Sequence, residues 1–381
     1  MTICLSPGGS SIYNHDQLSS ELLVATVDGI TLLELAENGH WAKSAQTLVG
    51  HHVCALLRDP ESGRYIAGTH DGGIFLSDDL NHWRASNSGI ETPNVFSLAM
   101  TFEAGSTVLY AGTEPAALYR SDDLGENWSR LDGLDSAANA ETWTFPAPPF
   151  IGHVKTISID PADPGHLFVC IEQGGLYSSV DAGENWIDHT AGMPNDAHRL
   201  LIHPQRSERV YLANGFFFSR SDDGGNSWFD MADQISRIGY ADPLLCHPNR
   251  PELMVVAGGY ATPDAWATGS AKSAIYRTED GGDHWSQATE GLPEEIKPSF
   301  EAGCIEAAGE QSRIFLGNTH GEVWMSADHG ASWREVVADI PWVSKCFHAD
   351  LIHGRLVLNE EDVQIPDELR EKMAEMVDRD G

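Results

Sequence analysis

Ser121-Asp122-Asp123-Leu124-Gly125-Glu126-Asn127-Trp128 is the stretch that decides the fold, because it recurs. Four further segments share its pattern of hydroxyl, any, Asp, any, Gly, any, any, Trp: Ser179–Trp186, Ser221–Trp228, Thr278–Trp285 and Ser326–Trp333. A sixth, Ser77–Trp83, is one residue short and lacks the Gly, and a decayed seventh ends at Trp41. Successive starts from Ser77 onward lie 42 to 58 residues apart, the size of a propeller blade. Physically, the segment closes a hairpin. The Asp carboxylate and the hydroxyl accept bonds from turn amides, Gly supplies a positive φ, and Trp folds back over the turn. Asp123, Asp181, Asp223, Asp280 and Asp328 are therefore expected to be structural, whatever their carboxylates suggest.

Working outward, each segment is flanked by strand signals. Around the second full copy, Val154–Ile159 reads as an innermost strand A, Leu167–Ile171 as B, Leu176–Ser179 as C, and the chain near Trp186 as D. The same order recurs along the chain. It predicts an all-β, single-domain, seven-bladed β-propeller with repeats at about 22–48, 52–86, 94–131, 153–188, 197–230, 240–288 and 302–336. Blade 1 lacks an obvious strand A. The apolar segment 342–358 is expected to complete it and close the ring, with a tail at 359–381 and a short helix at 366–377.

The repeated segment resembles the Asp-box, or BNR, repeat of the sialidase-like propellers, over residues 22 to 337. That resemblance implies the propeller fold. It also raises sialidase activity, which in that family rests on an arginine triad, a Tyr–Glu pair and an acid/base Asp. No Arg-Ile-Pro stretch occurs here, no arginine precedes Arg58, and only Arg199 and Arg237 fall near the expected channel mouth. A true sialidase is not expected.

The chain carries 57 acidic against 23 basic residues, a formal charge of −34. Such a field repels nucleic acid and anionic membranes. No secretory signal and no segment of bilayer-spanning length is visible. Six dispersed cysteines without a CxxC pair fit reduced thiols in the cytoplasm, with an inter-blade disulfide left open.

Propeller topology sorts the remaining residues. The starts of the A strands and the B–C loops share the face where ligands usually bind. His52 and His70 (blade 2), His153 and Glu172 (blade 4), His198 and Arg199 (blade 5), and His320 and Glu301 (blade 7) fall there, as does His51. The register of His348 is ambiguous. Imidazoles from several blades, with Glu301, could hold Zn, Cu or Fe. The expected ligands are His52, His70, His153, His198, His320 and Glu301. Separate channel-lining histidines are the bland alternative. Without metal, His153, His198, Glu301, Glu172 and Arg199 are the expected catalytic groups. Long insertions carrying Trp143 and Phe145, and Tyr260 and Trp266, are expected to wall the pocket. Three functions remain open: a metal-dependent enzyme on a small molecule, a non-catalytic peptide- or protein-binding propeller, and a glycosidase-like or glycan-binding protein. Oligomeric state is open.

Overall fold

A computed structural model describes residues 2–145, 147–215, 217–260, 263–266 and 270–345. Seven sheets are arranged as the blades of a propeller, and no described helix is long and apolar enough to cross a membrane. The A strands of blades 2 to 7 are Val53–Arg58, Asn94–Glu103, Val154–Asp160, Ala197–Ile202, Tyr240–Cys246 and Phe300–Ala308. Each pairs antiparallel with its own B strand, and C and D follow outward. Because the A strands are covered on both faces by neighbouring blades, they read as continuous apolar runs rather than alternating ones. Ala55, Leu57, Ile66 and Leu76 of blade 2, for example, share one buried cluster with Val95, Leu98 and Leu109 of blade 3.

The hairpin between C and D behaves as its sequence requires. In blade 3, Ser121 Oγ accepts the Gly125 amide at 2.9 Å, Asp123 Oδ1 accepts the Asn127 amide at 2.9 Å, and Gly125 takes φ +83°. Trp128 is buried, with its indole N–H donating to the Gly125 carbonyl at 3.2 Å. The shortened copy in blade 2 keeps the same scheme without Gly, placing Leu80 at φ 65° instead.

Ring closure departs from the expectation. The innermost place in blade 1 is held by the N-terminal strand Thr2–Leu5, which runs parallel to Glu21–Thr26. Ile3 and Leu5 are fully buried between blades 1 and 7, packed with Leu22, Val24 and Phe315. The segment 342–358 was expected in that place. Its first residues, up to Lys345, form no strand, and the rest lies outside the described residues. So do His348 and the expected helix at 366–377. Thr2–Leu5 carries little periodic signal, being four residues without a turn partner.

After Leu5 the chain enters the channel. Ser6 Oγ accepts the Leu56 amide at 3.1 Å, and the Gly8 amide donates to the Cys54 carbonyl at 2.9 Å. The Gly8 carbonyl in turn accepts the Leu98 amide at 2.9 Å, and Ile12–Asn14 then runs parallel along strand A of blade 7. A Cβ on Gly8 would lie 2.0 Å from the Phe96 carbonyl oxygen, so only glycine passes there.

Candidate functional site at the channel mouth

One local device builds the mouth. In each of blades 2 to 7 the A–B pairing slips near the start of strand A: between Val53 and Ala55, Val95 and Ser97, Val154 and Thr156, Ala197 and Arg199, Ala241 and Leu244, and Phe300 and Ala302. A slip leaves an extra residue free of the ladder and re-aims its side chain. The skipped residues are Cys54, Phe96, Lys155, His198, Asp242 with Pro243, and Glu301. Four of the six positions therefore present a charged or titratable polar group to the mouth.

These groups meet around Glu172, which follows strand B of blade 4. Its carboxylate accepts from Lys155 Nζ at 2.8 Å and from the Tyr240 hydroxyl at 3.0 Å, and contacts His153 Nε2 at 3.0 Å. His198 Nε2 lies 3.3 Å from Asp196 and 3.8 Å from Glu172. On the far side of His153, Nδ1 is 3.7 Å from Glu114, which ends strand B of blade 3 as Glu172 follows that of blade 4. Asp242 is paired with Lys345, and the Lys345 amide donates to Glu301 at 2.7 Å. Lys155, His153, His198, Asp242 and Glu301 are each at most 2% exposed.

Burial of this much charge is costly unless the partners compensate one another, and here they drive the groups apart. Burial works to raise Glu172, but Lys155 and then His153 hold its carboxylate well below the usual range. Glu114 goes the other way, raised by burial against the weaker pull of His153. Burial, aided by Lys155, lowers His198 and so keeps it neutral. Tyr240 is raised well above the ordinary phenol by burial and by Glu172, so it stays a donor. The His198 Nδ1–H donates to the Ala241 carbonyl at 2.8 Å, which leaves the Nε2 lone pair facing two carboxylates. Neither His198 Nε2 nor Asp196 Oδ1 has a hydrogen-bond partner among the described residues.

The residues expected from sequence divide into three groups. His153, His198 and Glu172 lie in the cluster, and Glu301 joins it through Lys345. Phe145 packs 5.1 Å from the His153 ring, and Trp266 stands edge-on to Tyr240 at 5.3 Å. His52 and His70 form a neighbouring pair, rings 5.9 Å apart, that reaches His153 through Phe96. His51 turns instead to Asp71 at 3.3 Å. The remainder point elsewhere. His320 is exposed. Trp143 packs on blade 4 and donates to the Tyr177 hydroxyl at 2.9 Å. Tyr260 lies under Arg237, and Arg199 points down the channel to the Pro7 carbonyl. Glu114, Lys155, Asp196, Tyr240, Asp242 and Lys345 were not anticipated. Asp242 had a usable signal, since it interrupts an otherwise apolar strand A.

The six expected metal ligands do not converge on one point. Among the described residues, the set of donor atoms that could share an ion is Glu172, Asp196 and His198, within 4.8 Å of one another. The Lys155 ammonium already supplies a cation to Glu172 at 2.8 Å.

No protein-family model matches the chain, so the Asp-box resemblance rests on its motifs. Xyloglucanase Xgh74A of Acetivibrio thermocellus is 24% identical over 287 residues, covering 64% of this chain and 32% of that protein. The chain thus spans about a third of the length of that relative. Among solved structures, an ancestral GH74 enzyme superposes with a TM-score of 0.58 at 15% identity, covering 76% of this chain and 39% of the other. YCF48 bound to D1 peptide superposes with a TM-score of 0.53 at 17% identity, covering 82% of this chain and 92% of the other. At these identities the likeness extends to fold, and it is to propeller proteins that the chain is similar.

Proposed function

We propose that the channel mouth is the active site of an acid–base enzyme acting on a glycoside or similarly polyhydroxylated small molecule. One observation carries this reading: two carboxyls on opposite sides of His153 are pushed in opposite directions, Glu172 down and Glu114 up. Environments that separate two titrating groups in this way assign a base and an acid. Glu172, with Lys155 and Tyr240, is the ionised partner. Glu114, with its side chain 12% exposed, is the acid nearer to solvent. Phe96 and Phe145 pack against the His153 ring between them. Similarity to xyloglucanases adds an analogy of fold and no more.

Release of 4-nitrophenol from a panel of aryl glycosides, and cleavage of xyloglucan oligosaccharides, test the reading. Turnover is expected, reduced about 10²- to 10⁴-fold in Glu172→Gln. Glu114→Gln should in addition lose the limb of the pH–rate profile that reports the acid. Full activity in Glu172→Gln, or no turnover of any substrate, would sink it. A metal-dependent variant of the same site is favoured by the donor atoms of Glu172, Asp196 and His198, which lie within 4.8 Å of one another. Stoichiometric Zn, Cu or Fe by elemental analysis, lost in His198→Ala, would establish that variant. A non-catalytic peptide-binding propeller is the second reading. It is favoured by the strand Ile12–Asn14, which lies in the channel as a bound peptide would, along strand A of blade 7.

A further inference from the structure

At the opposite end of the channel, where the A strands run into the A–B turns, lies a cavity of about 410 Å³. Its walls are the ends of four A strands, with Met100, Ile159, Ile202 and Cys246 among them, and the N-terminal segment Gly9–Ile12. In a chain with 57 acidic residues, none of the described residues that line it is an aspartate or glutamate. The one charged residue among them is Arg199, only 9% exposed.

Arg199 has no ion-pair partner among the described residues. Its guanidinium donates to the Pro7 carbonyl, and its Nε has no partner among the described residues. Burial lowers it to about 10, so it remains charged at neutral pH. The Cys170 thiol that bears on it is itself pushed up by burial to about 11 and stays neutral. A buried cation facing a carbonyl alone is expensive, because the group keeps its charge rather than shedding it. The contrast with the mouth is sharp: there every buried lysine has a carboxylate, and here the buried arginine faces a cavity lined by apolar side chains and by Ser10, Ser11 and Ser158.

We propose that this cavity binds a small organic carboxylate, its head on the Arg199 guanidinium and its apolar body against Met100, Ile159 and Ile202. The guanidinium fork suits a carboxylate, and a charged hydrogen bond in a site without competing acids discriminates strongly against a neutral head group. An apolar body of several carbons is what a cavity of this size and lining accepts. The site is separate from the mouth cluster and does not depend on the function proposed there.

Calorimetry on the full chain with hexanoate, hexan-1-ol and acetate tests it. Hexanoate should bind at least about tenfold more tightly than either the alcohol, which lacks the charge, or acetate, which lacks the body. Arg199→Met should bring hexanoate down to the level of hexanol, with the unliganded variant no less stable than wild type, since an uncompensated charge is removed. Should that variant fail to fold, Met100→Trp keeps the arginine and fills the cavity, and should abolish hexanoate binding. Glu172→Gln should bind hexanoate as wild type does. The proposal is overturned by hexanoate binding no better than hexanol or acetate, by binding that survives Arg199→Met or Met100→Trp, or by binding lost in Glu172→Gln.

Discussion

The Asp-box turns and the channel mouth use the same side chains under opposite conditions. In the boxes, Asp181 accepts from Ser179, two residues back, and from the Asn185 amide, four residues on, at an exposed turn. At the mouth, Glu172 meets Lys155, His153 and Tyr240, which are 17, 19 and 68 positions away, and is buried with them. One carboxylate is satisfied by its own hairpin, so any single blade carries the whole device. The other draws on Lys155 and His153 of its own blade and on Tyr240 of blade 6, so it is complete only when two separate blades meet at the channel. The boxes should therefore respond to substitution as independent local units, and the mouth as one coupled network.

The largest effect should come from the apolar part of a box. Trp333 is 3% exposed and packs with Val255, Ile305 and Leu316 at the junction of blades 6 and 7. Trp333→Ala should cost about 4 kcal/mol by chemical denaturation. A loss below about 1 kcal/mol would show that the box tryptophans are ornaments of the turn rather than inter-blade packing. At the mouth, Glu172→Gln should cost about 3 kcal/mol, because buried Lys155 is left with only Asp242, 4.0 Å away and already paired with Lys345. Pairing it with Lys155→Met should return most of that loss. Simple addition of the two single-variant losses would break the claim of coupling.

This difference also explains what the sequence disclosed. The repeat count and blade order were legible because each box is written in eight consecutive residues, and the A strands in continuous apolar runs. His153, His198 and Glu172 were legible as mouth residues from topology alone. Glu114 was not, because its meaning depends on a histidine from the next blade. Tyr240 was hidden for a similar reason: it reads as an ordinary strand aromatic until blade 4 delivers Glu172 to its hydroxyl. The pairing slips that aim Lys155, Asp242 and Glu301 into the mouth leave no periodic trace, because strands covered on both faces by neighbouring blades carry no alternation for a slip to disturb. The inner strand of blade 1 was not legible because it is a four-residue segment set apart from the rest of its blade by residues 6–20.

A smaller effect should separate the box hydroxyl from its tryptophan. Ser326 is buried and accepts the Gly330 amide at 2.8 Å while donating to Asp328 at 2.8 Å. Ser326→Ala orphans that amide and should cost about 1–2 kcal/mol. The same change at Ser221, whose hydroxyl accepts the Gly225 amide at 2.8 Å, should cost a similar amount, and the double variant should be additive. Coupling between the two would contradict the view of boxes as independent units.

The smallest effect is the most specific to charge. In the box of blade 6, burial works against ionisation of Asp280, but the His284 amide and imidazole and the Thr278 hydroxyl outweigh it and hold the carboxyl at about 2. Asp223, held mainly by Ser227, is also at about 2. Both lie below the 3.8 of an unconstrained aspartate. The folded state therefore binds fewer protons than the unfolded state between those values, and stability must fall as pH drops through that window. Above pH 4 the contribution is fully present, and below pH 2 it is gone. Exposure of these turns to solvent keeps each contribution small. Burial at the mouth acts earlier. His198 is held neutral, so the unfolded state gains protons first as pH falls below 6.5, and stability should begin to decline there. Two separate declines in a pH titration of unfolding free energy are thus expected. The first should be reduced in His198→Gln, and the second in Asp280→Asn. A titration in which Asp280→Asn reduced the decline near pH 6 would mean that the turns and the mouth are electrostatically one system, and that the local reading of the boxes fails.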